Sequence, residues 1–239
     1  SGNKFIAIDL SNGTREELLS WEFSDEPKAV EPPKDYIAEQ QQSLVEYIKL
    51  QRKNRQEKDD AHKALAKENS SVAPTPFYFD KSHRLAGISV SPAGNFAVVA
   101  TTESKPTRDD SDIMPHYIQE DSRIAAKPVR QRVADAESVN HELWLLNLKT
   151  GEKSELKYFN LPGYNDDVLA DVKAENAKAK GETYEVNRLP RDITLLQSWY
   201  WTKPSIRWHK NGNAVAVMLE AWDNKDRWIA TVDLANKTL

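Results

Sequence analysis

The sequence contains no cysteine, so it forms no disulfide or thiolate metal site, and a cysteine nucleophile is excluded. Glycine is scarce too. The eight glycines are scattered singly, and neither a G-x-G-x-x-G nor a P-loop can be assembled from them. The G-x-S-x-G turn that presents a serine nucleophile is also missing. No run approaches the roughly 20 apolar residues that span a bilayer, and the first residues show neither a basic n-region nor an apolar h-region. Positive charge is not in excess: 33 Lys and Arg stand against 37 Asp and Glu, a formal net charge of -4. Composition therefore points to neither nucleic acid nor a membrane as a partner. Five histidines, His62, His83, His116, His141 and His209, lack H-x-x-x-H or H-E-x-x-H spacing and read as surface or turn residues. No catalytic, cofactor-binding or metal-binding residue is assigned, and no cofactor is expected.

What is present is a core-sized apolar content, 39% of 239 residues, arranged as repeats. The segment from Ile88 through Ser91-Pro92-Ala93-Gly94-Asn95 to Ala100 aligns without gaps on the segment from Ile206 through His209-Lys210-Asn211-Gly212-Asn213 to Met218. Each copy reads as a hairpin whose glycine supplies the positive φ of a tight turn. A second repeat occurs three times, from Phe5 through Asp9 to Gly13, from Leu143 through Asn147 to Gly151, and from Ile229 through Asp233 to Lys237. It reads as a strand ending in a polar turn. Lys237 replaces the glycine of the other copies, so the third turn is expected to differ or to run through Asn236. Hairpin followed by strand and turn is the order of successive strands in a four-stranded propeller blade. Residues 96–100 and 214–219 are apolar at successive positions, which predicts strands covered on both faces. Trp208 and Val217 are expected in the core.

This reading is mainly β: a partial β-propeller of four-stranded antiparallel blades with long helical insertions. Residues 1–22 would end one blade, residues 84–160 form a second with an inserted loop at 104–140, and residues 200–239 form a further one. Both ends read as strand, so the propeller is expected to be incomplete. Residues 34–73 lack glycine and proline and predict a helix, preceded by Pro32 and Pro33, capped by Asp35 and anchored by Ile37, Leu44 and Ile48. A second helical insertion is expected at 164–181, with Asp166 and Asp167 at its N-terminus, Leu169 and Val172 facing inward and Gly181 as C-cap. The loop at 104–140 shows few strand signals. The acidic pairs Asp109-Asp110, Glu120-Asp121 and Asp166-Asp167 read as solvated loops or a helix start. Asp223 to Trp228 reads as a charged turn held by its own aspartate-to-arginine pair, with Trp228 packed beneath. Trp199, Trp201, Trp208 and Trp222 read as inter-blade packing.

Ser91-Pro92-Ala93-Gly94-Asn95 and the later run from Leu143 to Gly151-Glu152 resemble the blade repeat of the dipeptidyl peptidase IV-like N-terminal propeller. Asp35-Tyr36-Ile37-Ala38-Glu39-Gln40-Gln41, Ile113-Met114-Pro115-His116-Tyr117 and the run from Asp223 to Ile229 are similar to bacterial members of the prolyl oligopeptidase family. The resemblance implies a propeller that admits peptides to a C-terminal α/β-hydrolase domain carrying a Ser-Asp-His triad, neither of whose motifs is in this sequence. It also implies peptide substrates through the longer enzyme, a periplasmic or secreted location and a possible homo-oligomer. The paired glutamates that hold a substrate amine in the dipeptidyl branch have no match in 104–140, where Glu120-Asp121 is the nearest acidic pair. A non-enzymatic propeller serving as a protein-binding scaffold, with the 34–73 helix as docking arm, is the alternative.

Overall fold

The computed structural model describes residues 2–27, 35–69, 72–196 and 204–239. The chain divides into two compact units, Ser1–Lys81 and Ser82–Leu239. Among the described residues no helix is long and apolar enough to cross a membrane.

The first unit begins with an antiparallel hairpin, β1 (Lys4–Ile8) and β2 (Arg15–Phe23). Leu19, Trp21 and Phe23 alternate onto one face of β2. A short β3 (Phe77–Phe79) joins β2 in parallel, with Trp21 opposite Phe77 and Phe23 opposite Phe79. Ring contacts of 6.0 Å between Phe5 and Trp21 and 5.8 Å between Phe23 and Phe79 knit this small aromatic core. Between β2 and β3 the stretch without glycine or proline is helical: α1 (Tyr36–Leu44) and α2 (Glu46–Glu68). Asp35 caps α1, its Oδ1 accepting the Ala38 N–H at 2.8 Å. Pro32, Pro33 and Lys34 lie outside the described residues. The expected anchors are not buried: Ile37 is 69%, Leu44 80% and Ile48 47% exposed. Val45, at φ -112 and ψ 81, interrupts the helix, so the three side chains no longer share one stripe.

In the second unit, β4 (His83–Val90), β5 (Phe96–Glu103), β8 (Glu142–Asn147) and β9 (Glu152–Leu156) form an antiparallel sheet in that order. A second sheet is built around β12 (Val215–Ala221), with β13 (Arg227–Val232) on one side. Its other side carries β10 (Ile193–Leu195) and β11 (Ile206–Trp208), end to end. The sequence repeat is a repeat of register. Val90 pairs with Ala97 and Leu146 with Ala97 in the first sheet; Trp208 pairs with Val215 and Val232 with Val215 in the second. The two sheets differ where the first has a bulge between Leu85 and Gly87. At the matching place residues 196–205 separate β10 from β11, and the described residues on either side continue the ladder. The Leu196 N–H donates to the Met218 carbonyl at 2.9 Å, and the Met218 N–H to the Ser205 carbonyl at 2.7 Å. Trp199 and Trp201 fall outside the described residues.

The turns repeat as closely. Gly94 and Gly212, at φ 65 and 74, donate their N–H groups to Ser91 and His209 at 2.9 and 2.8 Å. A Cβ on Gly212 would come within 2.8 Å of the Ala93 Cβ, so the second turn rests on the first. In the strand-ending turns the N–H groups of Gly13, Gly151 and Lys237 donate to the carbonyls of Asp9, Asn147 and Asp233 at 2.8, 2.9 and 2.8 Å. The expectation of a different third turn is therefore corrected. Lys237 itself takes the left-handed conformation, at φ 57, and the Asp233 carboxylate stabilises it by accepting the Ala235 and Asn236 N–H groups at 2.9 Å.

The loop at 104–140 contains a hairpin the composition did not announce, β6 (Asp112–His116) and β7 (Ala125–Val129). Pro115 and Pro128 sit within it, which a free two-stranded ribbon tolerates because each strand is an edge. The second insertion forms α3 (Ala170–Ala179), shorter than expected and with no buried residue. Leu169 is 41% and Val172 54% exposed, so neither faces inward. Gly181, at φ 75, does close the helix, with the Glu182 N–H returning to the Ala177 carbonyl at 2.8 Å.

The core lies between the two sheets. Val98, Ala100, Leu143 and Leu145 of the first meet Val215, Val217, Leu219 and Ile193 of the second. In the repeat, Val217 corresponds to Val99, not to Val98 or Ala100, so the sheets pack front to back on opposite faces. Trp208 is half-buried against this core and its Nε1–H donates to the Ser89 carbonyl at 3.3 Å. β5 is covered on both faces from Ala97 to Thr102. β12 is not, contrary to expectation: Ala216, Met218 and Glu220 are half-buried and Ile229 beside them is 76% exposed. This asymmetry predicts that Leu219→Ala costs about 2 to 5 kcal/mol and Ile229→Ala under about 0.5 kcal/mol in urea unfolding. Relief of the left-handed lysine predicts that Lys237→Gly raises stability by up to about 1 kcal/mol in the same measurement, despite glycine's larger unfolded-state entropy.

Candidate functional site

The polar residues that the sequence left scattered converge where the two sheets meet at the start of β8. Asn140 and His141 precede that strand and reach across to β10. The His141 N–H donates to the Ile193 carbonyl at 2.8 Å, the Ile193 N–H to Asn140 Oδ1 at 3.1 Å and the Leu195 N–H to His141 Nδ1 at 3.0 Å. Tyr158 donates its hydroxyl to the His141 carbonyl at 2.5 Å. His141 is thus a 5% exposed clamp, not the surface or turn residue expected. Because Nδ1 accepts a hydrogen bond, the ring proton sits on Nε2 and the imidazole is neutral. Burial pushes its pKa down to about 4, and the nearby Arg84 guanidinium adds to the shift. Burial likewise raises that of the Tyr158 phenol.

Cavities open beside this clamp, and two of them share Arg84. One, of about 230 Å³, is acidic, lined by Glu103, Glu137, Glu142 and Asp192 with Lys105 and Arg84. Lys105 bridges Glu103 at 3.0 Å and Glu137 at 2.9 Å, closing the base of the 104–140 loop. Those two hydrogen-bonded carboxylates raise the Lys105 pKa. His83 lies 3.5 Å from Glu142, whose other oxygen accepts the Thr101 hydroxyl at 3.2 Å. The second cavity, of about 530 Å³, is lined by Arg84, Leu85, Val139, His141, Thr194 and Trp222, among others. Arg84, Thr107 and Val139 line both.

The charged turn after β12 is held differently from expectation. Asp223 and Asp226 are bound not by Arg227 but by Arg191, 7% exposed at its side chain, which forks onto both oxygens of Asp223 at 3.0 and 2.7 Å and reaches Asp226 at 2.6 Å. Arg227 pairs instead with Glu220 at 3.1 Å. Trp228 does pack beneath, its ring 5.6 Å from the Arg191 guanidinium. Arg191 lies far from the turn in sequence, so spacing carried no sign of it. Asp109 and Asp121 accept N–H groups of their own loops, from Ser111 at 3.2 Å and Arg123 at 3.0 Å. Asp167 instead joins Lys173 at 2.8 Å and the Tyr184 hydroxyl, which hold its carboxyl down at about 2. Among the described residues no group of three or more His, Asp or Glu side chains could hold a metal ion. The constellation has donors, acceptors and fixed charges, and supplies binding chemistry with no activated nucleophile in it.

No family model, curated protein or solved structure matches this chain.

The clamp makes a pH prediction. A folded-state value of about 4 for His141, against the ordinary 6.5, means that unfolding takes up a proton between these limits. Its contribution is thus intact above pH 6.5 and lost as pH falls to about 4, by up to about 3 kcal/mol. Urea unfolding of His141→Gln across that window is expected to show a shallower pH dependence than the parent chain.

Proposed function

We propose that this chain is a propeller portion of a prolyl oligopeptidase-type serine peptidase, which gates peptide access to an α/β-hydrolase domain on the same polypeptide. The observation that carries the propeller part is the front-to-back packing of two sheets with the same register. Sheets of a sandwich related by a two-fold axis would bury equivalent faces against each other. Here one face of the first meets the opposite face of the second, a relation that can be repeated around an axis. The hairpin of β1 and β2 supports it, since Ile8 pairs with Arg15 as Leu146 pairs with Lys153. The peptidase part rests on the sequence resemblance.

An interaction scaffold is the second reading. It is favoured by apolar side chains displayed outside the sheets, with Leu44 80% and Ile118 94% exposed. A fluorophosphonate that labels active serine hydrolases separates the two. Under the peptidase reading the product of the complete gene is labelled at a serine in a G-x-S-x-G sequence, and residues 1–239 alone stay unlabelled. A complete product that takes up no label, with its propeller folded, overturns the peptidase reading and leaves the scaffold.

A further inference from the structure

We propose that the cavity between Arg84 and Trp222 binds a carboxylate carried on an apolar body of about amino-acid size. This goes beyond the propeller reading and depends only on residues of the second unit. Two charged residues line the cavity, Arg84 and Glu220. Glu220 is held by Arg227 at 3.1 Å. Arg84 is exposed, and its guanidinium makes no hydrogen bond or ion pair with a described residue. A guanidinium presents a planar fork of donors that matches a carboxylate, and one left without a partner at a cavity wall offers that fork to a ligand. A second donor is close by. His141 carries its proton on Nε2 and shows no partner there, yet no buried side-chain nitrogen among the described residues is unsatisfied. That N–H is therefore reached by solvent, and His141 lines both this cavity and a neighbouring one beside Leu195 and Ile206.

The remaining wall is mixed: Leu85, Val133, Val139, Ala221 and the 38% exposed Trp222 give it an apolar side, and Thr107, Thr194 and Asn224 a polar one. Its volume of about 530 Å³ lies within the range of small-ligand sites, roughly 300 to 1,000 Å³. One cation beside the apolar side of this wall suits a monoanion on a hydrophobic body better than a phosphate, whose two charges call for more than one cation. Asp192 shares the neighbouring acidic cavity with Arg84, as do Glu103, Glu137 and Glu142, so internal carboxylates compete for the guanidinium. The C-terminus of a peptide and an acidic side chain carry the same chemistry.

The test is titration of the full chain, followed by amide resonances of Leu85, Thr194 and Trp222. The probes are N-acetyl-phenylalanine, its carboxamide, and the carboxamide of N-acetyl-aspartate. The free acid is expected to shift these resonances saturably and the phenylalanine carboxamide to bind at least about tenfold more weakly, the loss of one charge-assisted hydrogen-bonded pair. Arg84→Gln, at an exposed position, is expected to keep the melting profile and abolish the difference. Asp192→Asn is expected to retain or strengthen binding. A response to the phenylalanine acid and not to the aspartate probe assigns the site to C-termini, and a response to the aspartate probe alone overturns the proposal, since that probe carries no apolar body. Equal affinity for acid and carboxamide, no shift by either carboxylate, or a difference that survives in Arg84→Gln overturns the proposal.

Discussion

The second unit depends on one contact, the burial of Val98, Ala100, Leu143 and Leu145 against Val215, Val217, Leu219 and Ile193. Neither sheet could hide its apolar face alone, since an open antiparallel sheet covers its backbone groups but not its side chains. Small residues make the contact close. Gly87 would place a Cβ 2.8 Å from Leu195 Cδ1, so a larger residue there would push the β10 edge away from β4. The Asn140 and His141 clamp then adds directional bonds to a contact that is otherwise non-directional.

The polar arrangement follows from that packing. Bringing β10 against the start of β8 buries an imidazole, and a buried imidazole is inexpensive only when neutral and hydrogen-bonded. The Leu195 N–H supplies the bond. The same approach places β4 and the base of the 104–140 loop beside the clamp, where carboxylates and cations line the smaller cavity and Arg84 faces both. Arg191 does comparable work just before β10. It ties the turn after β12 to the segment leading into β10 through two carboxylates, and to the carbonyl of Gly163 at 3.1 Å. The two ends of a three-residue strand are thus fixed by side chains, because three residues offer too few ladder bonds to fix themselves.

Much of this was legible in the amino acids. The hairpin repeat and the strand-and-turn repeat were visible in Gly94 and Gly212, and in Asp9, Asn147 and Asp233, because turn geometry is enforced locally by φ and by side-chain caps. The Asp35 cap and the Gly181 stop were visible for the same reason. The burial of Val217 followed from its place in a run of β-branched and small residues.

Other features were decided only when distant segments met. Lys237 adopts a conformation that residue identity argues against, because the cap by Asp233 and the ladder of β12 and β13 fix the turn around it. Ile37, Leu44 and Ile48 are as apolar as any core residue and stay exposed, because burial depends on what packs against a helix and not on its own sequence. His141 and Arg191 carry no local signal at all. Their roles are set by residues 17 to 54 positions away, which spacing along the chain cannot register. Local geometry was written in the sequence, while partner choice for charged and titratable groups depended on which sheet faces came together.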